Sequence, residues 1–319
     1  MTQASKPLTL ALVGATGAVG RTVLEALDAL DVPVQALRPF ASAGSAGTTV
    51  EFRDEDLPVR ALGEGAFRGC DVAIFCAGPA VAREWAPRAW AEGCPVVDES
   101  PAFRGEPDVP LVVPEVNGRR AAEHHGIVAN PNCCAIPLTC VLKPLQDAAG
   151  LARVRVATYQ SVSGAGAQSM ERLRNEPQDE HDLRMDWSFD GEEFEEESKL
   201  RDETRKILEL PELPVQATCV RVPVMIGHAE AVWVELEDDL PPDQARKLFA
   251  AAPSVRVEEV PSPGKARGGD EVLVGRIRRD PTVDRGLALF IAADNLRKGA
   301  ALNAIQIAEL LLDRERAAA

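Results

Sequence analysis

Two adjacent cysteines, Cys133 and Cys134, follow an Asn-Pro turn within the stretch 130–137. The apolar run 126–129 before the turn predicts a buried strand, and apolar residues at helical spacing after it predict a helix over 135–149. Cys133 is therefore expected at a strand-to-helix corner, where unsatisfied amides and the positive end of the helix dipole favour a thiolate. This is the environment of a cysteine nucleophile. The alternative is that both cysteines are small buried residues, and this stretch alone does not separate the two interpretations.

Several charged residues farther along the chain could bind anions or move protons. His228 can exchange a proton near neutral pH, and Arg221, at the other end of the same short extended stretch, can clamp a carboxylate. Glu203 and Lys206 lie three apart on one face of a predicted helix, where a routine ion pair is the simpler interpretation. Arg104, in a loop after a predicted strand, is a candidate anion-binding residue and equally a surface charge.

A glycine-rich turn with Gly14, Gly17 and Gly20 follows the apolar run 8–13 and precedes a helical pattern. Strand, glycine turn and helix are typical of the first unit of a dinucleotide-binding domain, because glycine lets the backbone approach a pyrophosphate at a helix N-terminus. The spacing G-x-x-G-x-x-G is a variant of the usual fingerprint. Tight packing of helix on strand is the alternative.

The second predicted strand, 32–37, ends in Arg38, and the segment 39–49 carries hydroxyl residues but no acid. An NAD enzyme usually places an acid at this position to bind the ribose 2′-hydroxyl, whereas a cation with hydroxyls suits a 2′-phosphate. NADP is therefore the expected cofactor, with NAD as the alternative.

The elements that must position these residues fall into two groups. Strands and helices alternate up to residue 150, which predicts a Rossmann-like, doubly wound parallel sheet with ligands at the carboxyl ends of its strands. Gly78, after one such strand, is expected to border the cofactor. The predicted strands here are 72–76, 95–98, 111–113 and 127–129, and the predicted helices are 82–91 and 119–123. Later β-rich runs predict a second domain with a mixed or antiparallel sheet, over 153–160, 215–223, 230–236, 272–278 and 287–292. Helices are expected over 169–174 and 200–208, and the acidic segment 176–198 is expected to be a solvated surface excursion.

Composition sets the class of protein. The chain has 319 residues, 45% of them hydrophobic, enough for two domains with their own cores. Its seven cysteines include no Cys-x-x-Cys spacing, which argues against a disulfide framework and a structural zinc site, so no metal is expected. A net charge of −15 without a basic stripe argues against a nucleic-acid partner. No apolar run approaches the ~20 residues that span a bilayer and the N-terminus has no signal-peptide pattern, so a cytoplasmic protein without membrane contact is expected.

The motifs together, in their order and spacing over almost the whole chain, resemble the aspartate-semialdehyde dehydrogenase family; they are 14–20, 130–133, 159–166, 203–206, 221–230 and 294–300. The resemblance implies a dinucleotide-binding domain over 1–132, completed by a C-terminal helix over 298–319, and an α+β catalytic and dimerisation domain over 133–297. It also implies the NADPH-dependent reduction of L-aspartyl 4-phosphate to L-aspartate 4-semialdehyde and phosphate, through a cysteine thioester. This step belongs to the biosynthesis of lysine (through diaminopimelate), threonine and methionine. A homodimer or homotetramer is implied as well.

The resemblance assigns an expected role to each matching residue. The catalytic group consists of the nucleophile Cys133, the acid/base His228 and the substrate-positioning residue Gln160. The substrate-binding group consists of Arg221 for the α-carboxylate, Glu203 for the amino group, the phosphate-binding pair Lys206 and Arg104, and Asn132. The cofactor-binding group consists of Gly14, Thr16, Gly17, Ala18, Val19, Arg38, Gly44, Ser45, Gly78, Ser163, Gly164 and Asn295.

Three departures from the family pattern bear on these roles. Gly44 stands where the family usually has an arginine at the 2′-phosphate, and Arg38 is a candidate replacement, so NADP against NAD stays open. Glu99 stands where asparagine is usual. This places a carboxylate near Arg104, and its repulsion of the substrate phosphate could weaken phosphate binding by Arg104. Cys134 stands where serine is common, and its thiol could oxidise with the first or shield it.

Two other functions compete with this interpretation. An N-acetyl-γ-glutamyl-phosphate reductase shares the thioester chemistry on a longer, N-acylated substrate, and Glu203 discriminates because it suits a free amino group. A catalytically silent, nucleotide-binding paralogue is the other alternative. The joint presence of Cys133, Gln160, Arg221 and His228 speaks against it.

Overall fold

The structure is a computed structural model that describes residues 8–30, 32–175 and 184–318, with side chains through 312. By its contacts the chain divides into two units. Unit 1 contains Met1–Pro114, Gly118–Pro131 and Ala300–Ala319, and unit 2 contains Glu115–Asn117 and Asn132–Gly299. Apart from the short segment Glu115–Asn117, the chain changes units at 131/132 and 299/300, where the sequence predicts 132/133 and 297/298.

Unit 1 is built on a parallel sheet. Its elements are β1 (Leu8–Val13), α1 (Ala18–Ala29), β2 (Val34–Ala41), β3 (Thr49–Phe52), β4 (Glu55–Pro58), β5 (Arg60–Ala61), β6 (Val72–Phe75), α2 (Pro79–Ala91), β7 (Val96–Asp98) and β8 (Ile127–Ala129). In the described part of the chain the sheet has the order β5-β2-β1-β6-β7-β8, with every pair of neighbours parallel. The strand order reverses between β1 and β6, so the glycine turn after β1 lies at the switch point where doubly wound sheets bind ligands. The Rossmann-like prediction is confirmed.

The core of unit 1 explains why these segments are strands and helices. β1 is buried almost throughout, as a strand covered on both faces must be. One core packs β1 against the apolar stripe of α1, which includes Val23, Leu24 and Leu27. The same core contains Ile305 and other residues from the C-terminal segment, so that segment completes unit 1.

Unit 2 is built on a mixed sheet. The one-turn helix α3 (Pro114–Asn117) lies mostly in this unit. Its other elements are α4 (Ala135–Ala149), β9 (Leu151–Gln160), α5 (Ala167–Asn175), α6 (Glu195–Leu208), β10 (Val215–Arg221), β11 (His228–Leu236), α7 (Pro242–Ala251), β12 (Val255–Val257), α8 (Pro263–Ala266), β13 (Val272–Asp280) and β14 (Gly286–Ala293). A π-helical turn, Arg297–Ala301, then leads into α9 (Leu302–Ala318).

The sheet of unit 2 has the order β10-β9-β11-β14-β13-β12. β9 with β10 and β12 with β13 are parallel, and the other neighbours are antiparallel, so the predicted mixed sheet is confirmed. Arg221 lies opposite Gln160, and Glu230 lies opposite Thr158. Because side chains alternate between faces, these residues and His228 share one buried face, against which α4 and α6 pack.

The structure corrects three predicted elements of unit 1. β2 does not end at Arg38 but continues to Ala41, because Phe40 and Ala41 pair with β5. The predicted strand 111–113 is reduced to an isolated bridge from Leu111, since prolines flank the segment. The predicted helix 119–123 is a 3₁₀ helix, Gly118–Glu123.

The acidic segment 176–198 is only partly a surface excursion. Residues 176–183 lie outside the described residues. Residues from Glu195 onward form the first turn of α6, where Glu196 and Glu197 are buried. Acidic side chains suit a helix N-terminus, and here they also accept buried hydrogen bonds. None of the helices among the described residues has the length and apolar character to cross a bilayer.

Candidate active site

The predicted nucleophile and the predicted acid/base meet in unit 2. Cys133 lies in the linker before α4, and His228 is the first residue of β11. The Cys133 Sγ and the His228 Nε2 are 3.2 Å apart. His228 is buried while Cys133 is partly exposed, so Cys133 is the more accessible residue of the pair.

Ser161 determines which nitrogen of His228 carries the proton. The main-chain N–H of Ser161 can only donate, and it donates to Nδ1 over 3.0 Å. Nδ1 must therefore be an unprotonated acceptor, and the neutral ring carries its proton on Nε2, facing the sulfur. The ligand atoms of Cys133, Cys134 and His228 lie within 4.8 Å of one another. A protonated Nε2 nevertheless has no lone pair for a metal ion, so the arrangement is that of a hydrogen-bond donor to a thiolate.

The two thiols have opposite acidities. The hydrogen bond with the Cys134 thiol holds the pKa of Cys133 well below its usual range, and His228 and the charge of Arg221 act in the same direction, while burial opposes them. Burial raises the pKa of Cys134 well above its usual range, and the neighbouring Cys133 raises it further. Cys134 therefore stays protonated and donates to a Cys133 thiolate, the reactive form of the nucleophile.

Arg221 and Gln160 end two neighbouring strands side by side. The Arg221 Nη1 donates to the main-chain oxygen of Ser161 over 3.0 Å and to the Gln160 Oε1 over 3.4 Å. Gly164 makes this crowding possible, because a Cβ there would lie 2.9 Å from the Arg221 Nη1 and 3.2 Å from the His228 Nε2. The predicted clamp, the positioning glutamine and the histidine thus occupy one compact site.

Two glutamates of α6 hold the residue before the nucleophile. The Glu203 carboxylate accepts from the main-chain N–H of Asn132 over 2.5 Å, and the Glu196 carboxylate accepts from its side-chain Nδ2 over 2.9 Å. The Asn132 Oδ1 in turn accepts from the N–H of Cys134 over 2.7 Å, at the start of α4. Glu196 also accepts from the Gln160 Nε2 over 3.0 Å. One buried carboxylate therefore links the nucleophile segment to the positioning glutamine.

Glu196 was not predicted as a site residue, because the run of acids around it indicates a solvated face. A signal was available in the helical period: Glu196, Leu200, Glu203 and Ile207 recur at spacings of three and four, and all four are buried. When acids fall on the same face of a helix as its buried apolar residues, some of those acids are expected to be buried as well.

Glu230 is a second buried acid that sequence analysis missed. It follows His228 by two residues and is buried on the same face of the sheet. Among the described residues, neither of its carboxylate oxygens has a hydrogen-bond partner. Burial, reinforced by Cys133, raises its pKa well above the usual range. The environment of Glu230 therefore favours its neutral form, which adds no negative charge beside the thiolate.

Asn295 organises the shell around the histidine. Its Oδ1 accepts from the hydroxyls of Ser161 and Ser163 and from the N–H of Gly227, over 2.9 to 3.1 Å. Ser163 and Asn295, predicted as cofactor contacts, thus also support the ring of His228. A Cβ on Gly299 would lie 3.1 Å from the Cys133 carbonyl oxygen and 3.3 Å from the Cys133 Cβ, so glycine leaves room for the nucleophile segment.

The predicted phosphate-binding residues lie in different units. Lys206 is half-buried on α6, one turn after Glu203. Arg104, in unit 1, donates from Nε to the main-chain oxygen of Asn130 over 2.9 Å and from Nη2 to that of Glu99 over 2.7 Å. The Glu99 carboxylate accepts from the Asn130 Nδ2 over 3.0 Å.

The glycine turn of unit 1 fits a dinucleotide. Gly14 has φ +85°, and a Cβ there would lie 2.5 Å from the carbonyl oxygen of Cys76, next to β6. Gly17 is the N-cap of α1, so Ala18 and Val19 are the first residues of the helix, where main-chain N–H groups lack helical partners. Thr16 lies between these glycines. Such a backbone cradle at a helix N-terminus can hold a pyrophosphate.

The other predicted cofactor-binding residues of unit 1 lie in β2, in the turn after it and at the start of α2. Arg38 lies within β2, and its Nη1 donates to the main-chain oxygen of Arg68 over 2.8 Å. Gly44 and Ser45 lie in the turn after β2, and the N–H of Ser45 donates to the carbonyl oxygen of Ser42. Gly78 is the N-cap of α2, directly after the carboxyl end of β6.

The two units together define a class of protein. A doubly wound sheet with a pyrophosphate-type turn is accompanied by a mixed sheet that holds an acidic cysteine against a histidine Nε2–H. This combination is typical of a nucleotide-dependent oxidoreductase, and Cys133 stays the predicted nucleophile.

Comparison with known proteins narrows the class. The family model described as semialdehyde dehydrogenase, NAD binding domain, matches residues 9–124, and the model described as semialdehyde dehydrogenase, dimerisation domain, matches residues 142–192 and 186–298. The aspartate-semialdehyde dehydrogenase of Legionella pneumophila is 46% identical, with 96% of each chain covered.

Two solved structures are similar as well. Aspartate semialdehyde dehydrogenase II from Vibrio cholerae, complexed with ASA, has a TM-score of 0.92 and 38% identity over 97% of this chain and 99% of the other. The aspartate semialdehyde dehydrogenase with NADP from Candida albicans has a TM-score of 0.77 and 26% identity over 96% and 98%. The chain belongs to the aspartate-semialdehyde dehydrogenase family.

Proposed function

We propose that the protein catalyses the NADPH-dependent reduction of L-aspartyl 4-phosphate to L-aspartate 4-semialdehyde and phosphate, a step in the biosynthesis of lysine, threonine and methionine. The observation that carries the proposal is the acidic Cys133 thiol, which lies 3.2 Å from the His228 Nε2. Arg221 shares the buried sheet face with His228, and Glu203 on α6 accepts from the main-chain N–H of Asn132, the residue before Cys133. A substrate with an α-carboxylate, an α-ammonium and an acyl phosphate offers one complementary group to each of Arg221, Glu203 and Cys133.

The chemistry follows from the side chains. The Cys133 thiolate attacks the acyl carbon, the bond to the phosphate oxygen breaks, and a thioester remains. A bound nicotinamide supplies the hydride that reduces this thioester. His228 keeps its Nε2–H directed at the reacting centre, where it stabilises the carbonyl oxygen as charge develops and the sulfur as it leaves. Collapse of the hemithioacetal then releases the aldehyde and restores the thiolate.

Lys206 and Arg104 stay the predicted phosphate-binding residues. Lys206 lies one turn after Glu203 on α6, and its charge suits a phosphate. In Arg104 the Nε and Nη2 atoms have main-chain partners, which fix the guanidinium plane. A fixed plane lowers the side-chain entropy that phosphate binding by this arginine would cost.

NADP is the proposed cofactor, with NAD as the alternative. Two observations support NADP. The sequence 39–49, which follows Arg38, contains no acid, and the Candida albicans relative has NADP bound in its structure. Gly44 removes an expected cation. Arg38 uses Nη1 for its contact with the Arg68 main-chain oxygen, so other parts of its guanidinium can bind a 2′-phosphate.

A homodimer is the proposed assembly, formed through the outer face of the mixed sheet. The dimerisation-domain model matches unit 2, and the face of the sheet opposite the site presents Tyr159 and Trp233, which are 39% and 36% exposed. Large, partly exposed aromatics are typical of interfaces. Light scattering of the purified protein distinguishes a dimer from a tetramer.

A phosphate-dependent oxidation assay tests the proposed function. Purified protein is mixed with aspartate semialdehyde and phosphate, with NADP and NAD in parallel, and nicotinamide absorbance is followed. We expect activity with NADP; a comparable rate with NAD would mean that Gly44 relaxes 2′-phosphate recognition. No activity with either, from folded protein, would favour N-acetyl-γ-glutamyl phosphate as the substrate class, and failure there would favour a silent paralogue.

Replacing the nucleophile tests the thioester route. Cys133→Ser should lower kcat by at least about 10³-fold, because a serine hydroxyl is not ionised near neutral pH, while NADP binding stays unchanged. Cys140→Ser, which alters a buried thiol on the following helix α4, is the matched control and should keep its activity. Near-parental turnover in Cys133→Ser would overturn the assignment.

A further inference from the structure

The guanidinium of Arg221 already holds a carboxylate of this chain. Its Nε and Nη2 lie 3.3 and 3.1 Å from the Asp186 Oδ1, and its Nε lies 3.4 Å from the Asp186 Oδ2. The opposite corner of the guanidinium, Nη1, is taken by Ser161 and Gln160. The edge formed by Nε and Nη2 is the edge at which an arginine binds a carboxylate with two hydrogen bonds.

The segment 184–187, here called the strap, is attached to Arg221 in two further ways. Arg184 and Arg221 exchange both main-chain hydrogen bonds, over 3.0 and 2.7 Å, so the strap extends the sheet beyond the edge strand β10. The ring of Trp187 lies 4.6 Å from the guanidinium carbon, a cation–π contact that covers one face of the arginine. The strap is therefore positioned by its backbone and its tryptophan, and the aspartate is delivered to the arginine.

The Asp186 contact is weak enough to exchange. Charge-assisted hydrogen bonds are typically about 2.7–2.9 Å long, and every Asp186 to Arg221 distance is longer. The Asp186 side chain is 37% exposed while that of Arg221 is 6% exposed. Asp186 can thus turn into water when another carboxylate takes its place on Arg221, whereas Arg221 stays in its pocket, because its buried charge requires a carboxylate partner.

We propose that Asp186 is a specificity-determining residue that occupies the place of the substrate α-carboxylate on Arg221 and is displaced when substrate binds. The proposal rests on the proposed function. A neutral ligand gains nothing from displacing Asp186, since it would leave Arg221 without an anion. A ligand that also carries an ammonium for Glu203 has an advantage over Asp186, which carries none. The strap thereby lowers the affinity of the site for ligands that lack either the α-carboxylate or the α-ammonium group.

Kinetics of Asp186→Asn test the competition. The variant keeps the shape but removes the charge. An exposed ion pair contributes up to about 1 kcal/mol, which corresponds to a factor of about five. We expect KM for aspartate semialdehyde to fall about fivefold with kcat little changed. The methyl ester, which lacks the carboxylate charge, should show no such gain. Asp190→Asn, an acid just beyond the strap whose carboxylate accepts from the N–H of Glu192 and Glu193, is the matched control. An unchanged or higher KM for aspartate semialdehyde in Asp186→Asn would overturn the proposal.

A binding measurement separates failure of the strap from failure of the proposed function. Trp187 is one of four tryptophans, and its stacking on Arg221 should change when the strap is displaced. Titration of the parent with L-aspartate should change the tryptophan fluorescence, and Trp187→Phe should abolish most of that change. L-Aspartate needs no turnover. Binding, measured by calorimetry, without any Trp187 signal would mean that the strap stays in place, and binding that is absent in parent and Asp186→Asn alike would mean that Arg221 does not hold amino-acid carboxylates.

Discussion

Glu196 supplies the sharpest test of how the site is held together. Its Oε1 accepts from the Asn132 Nδ2 over 2.9 Å and from the Gln160 Nε2 over 3.0 Å, and all three residues are buried. Glu196→Ala removes the shared acceptor. A buried donor left without an acceptor costs about 1–3 kcal/mol. Gln160 keeps a longer contact with Thr158, so the total is expected near 2–4 kcal/mol.

The catalytic effect should be separable from the loss of stability. Asn132 holds the N–H of Cys134 and precedes Cys133, so loss of its anchor misplaces the nucleophile. A misplacement of about 1 Å costs about 100-fold in rate, and we expect that loss of kcat/KM in Glu196→Ala. Glu196→Gln keeps an oxygen acceptor and loses the charge, so a loss of about tenfold is expected, with most of the stability retained.

Glu197 provides a matched control. It is also buried on α6 and accepts two hydrogen bonds, from the N–H of Phe194 over 2.8 Å and from that of Cys219 over 2.9 Å, but neither donor carries a proposed catalytic role. Glu197→Ala should lower the urea midpoint about as much as Glu196→Ala while leaving kcat/KM near that of the parent. The assay is steady-state kinetics beside urea unfolding. Equal losses of kcat/KM in the two variants, or a folded Glu196→Ala with parental kcat/KM, would refute the positioning role.

Two further predictions concern unit 1. Gly14→Ala should weaken NADP binding by at least about tenfold in fluorescence titration. The residue has a left-handed φ of +85°, and the added Cβ would lie 2.5 Å from the Cys76 carbonyl oxygen, so the pyrophosphate turn would be displaced. Gly63→Ala, with open space around the added Cβ, is the control, and parental affinity in Gly14→Ala would contradict the placement of the site. Burial raises the pKa of Asp98 from 3.8 to about 6, so this group contributes stability that is complete below pH 4 and is lost as pH rises to 6. Asp98→Asn lacks this titration, and its unfolding free energy relative to the parent should increase by up to about 3 kcal/mol between pH 4 and pH 7; a difference that stays constant over that pH range would contradict the raised pKa.

Local patterns were sufficient for much of the fold. The apolar run of β1, the glycines after it and the helical spacing in α1 are adjacent in sequence, so their physical effects are decided by neighbours along the chain. The same holds for the helix after Cys133, predicted over 135–149 and observed over Ala135–Ala149. The end of β2 was wrong because pairing with β5 extends it past Arg38, and such pairing depends on residues that lie about twenty positions away.

The sequence by itself determined which side chains could do the chemistry, since a nucleophile, a proton carrier and an anion clamp are properties of residue types and their spacing. Only the tertiary structure decided how they act. The proton on the His228 Nε2 depends on an N–H of Ser161, which is 67 residues away. The burial of Glu196 depends on the packing of α6 against the mixed sheet, and that of Glu230 depends on the helices that cover its strand. The carboxylate of Asp186 reaches Arg221 across 35 residues. Protonation, burial and competition between charges arise from distances in space, and these exist only once the sheet has brought its strands together.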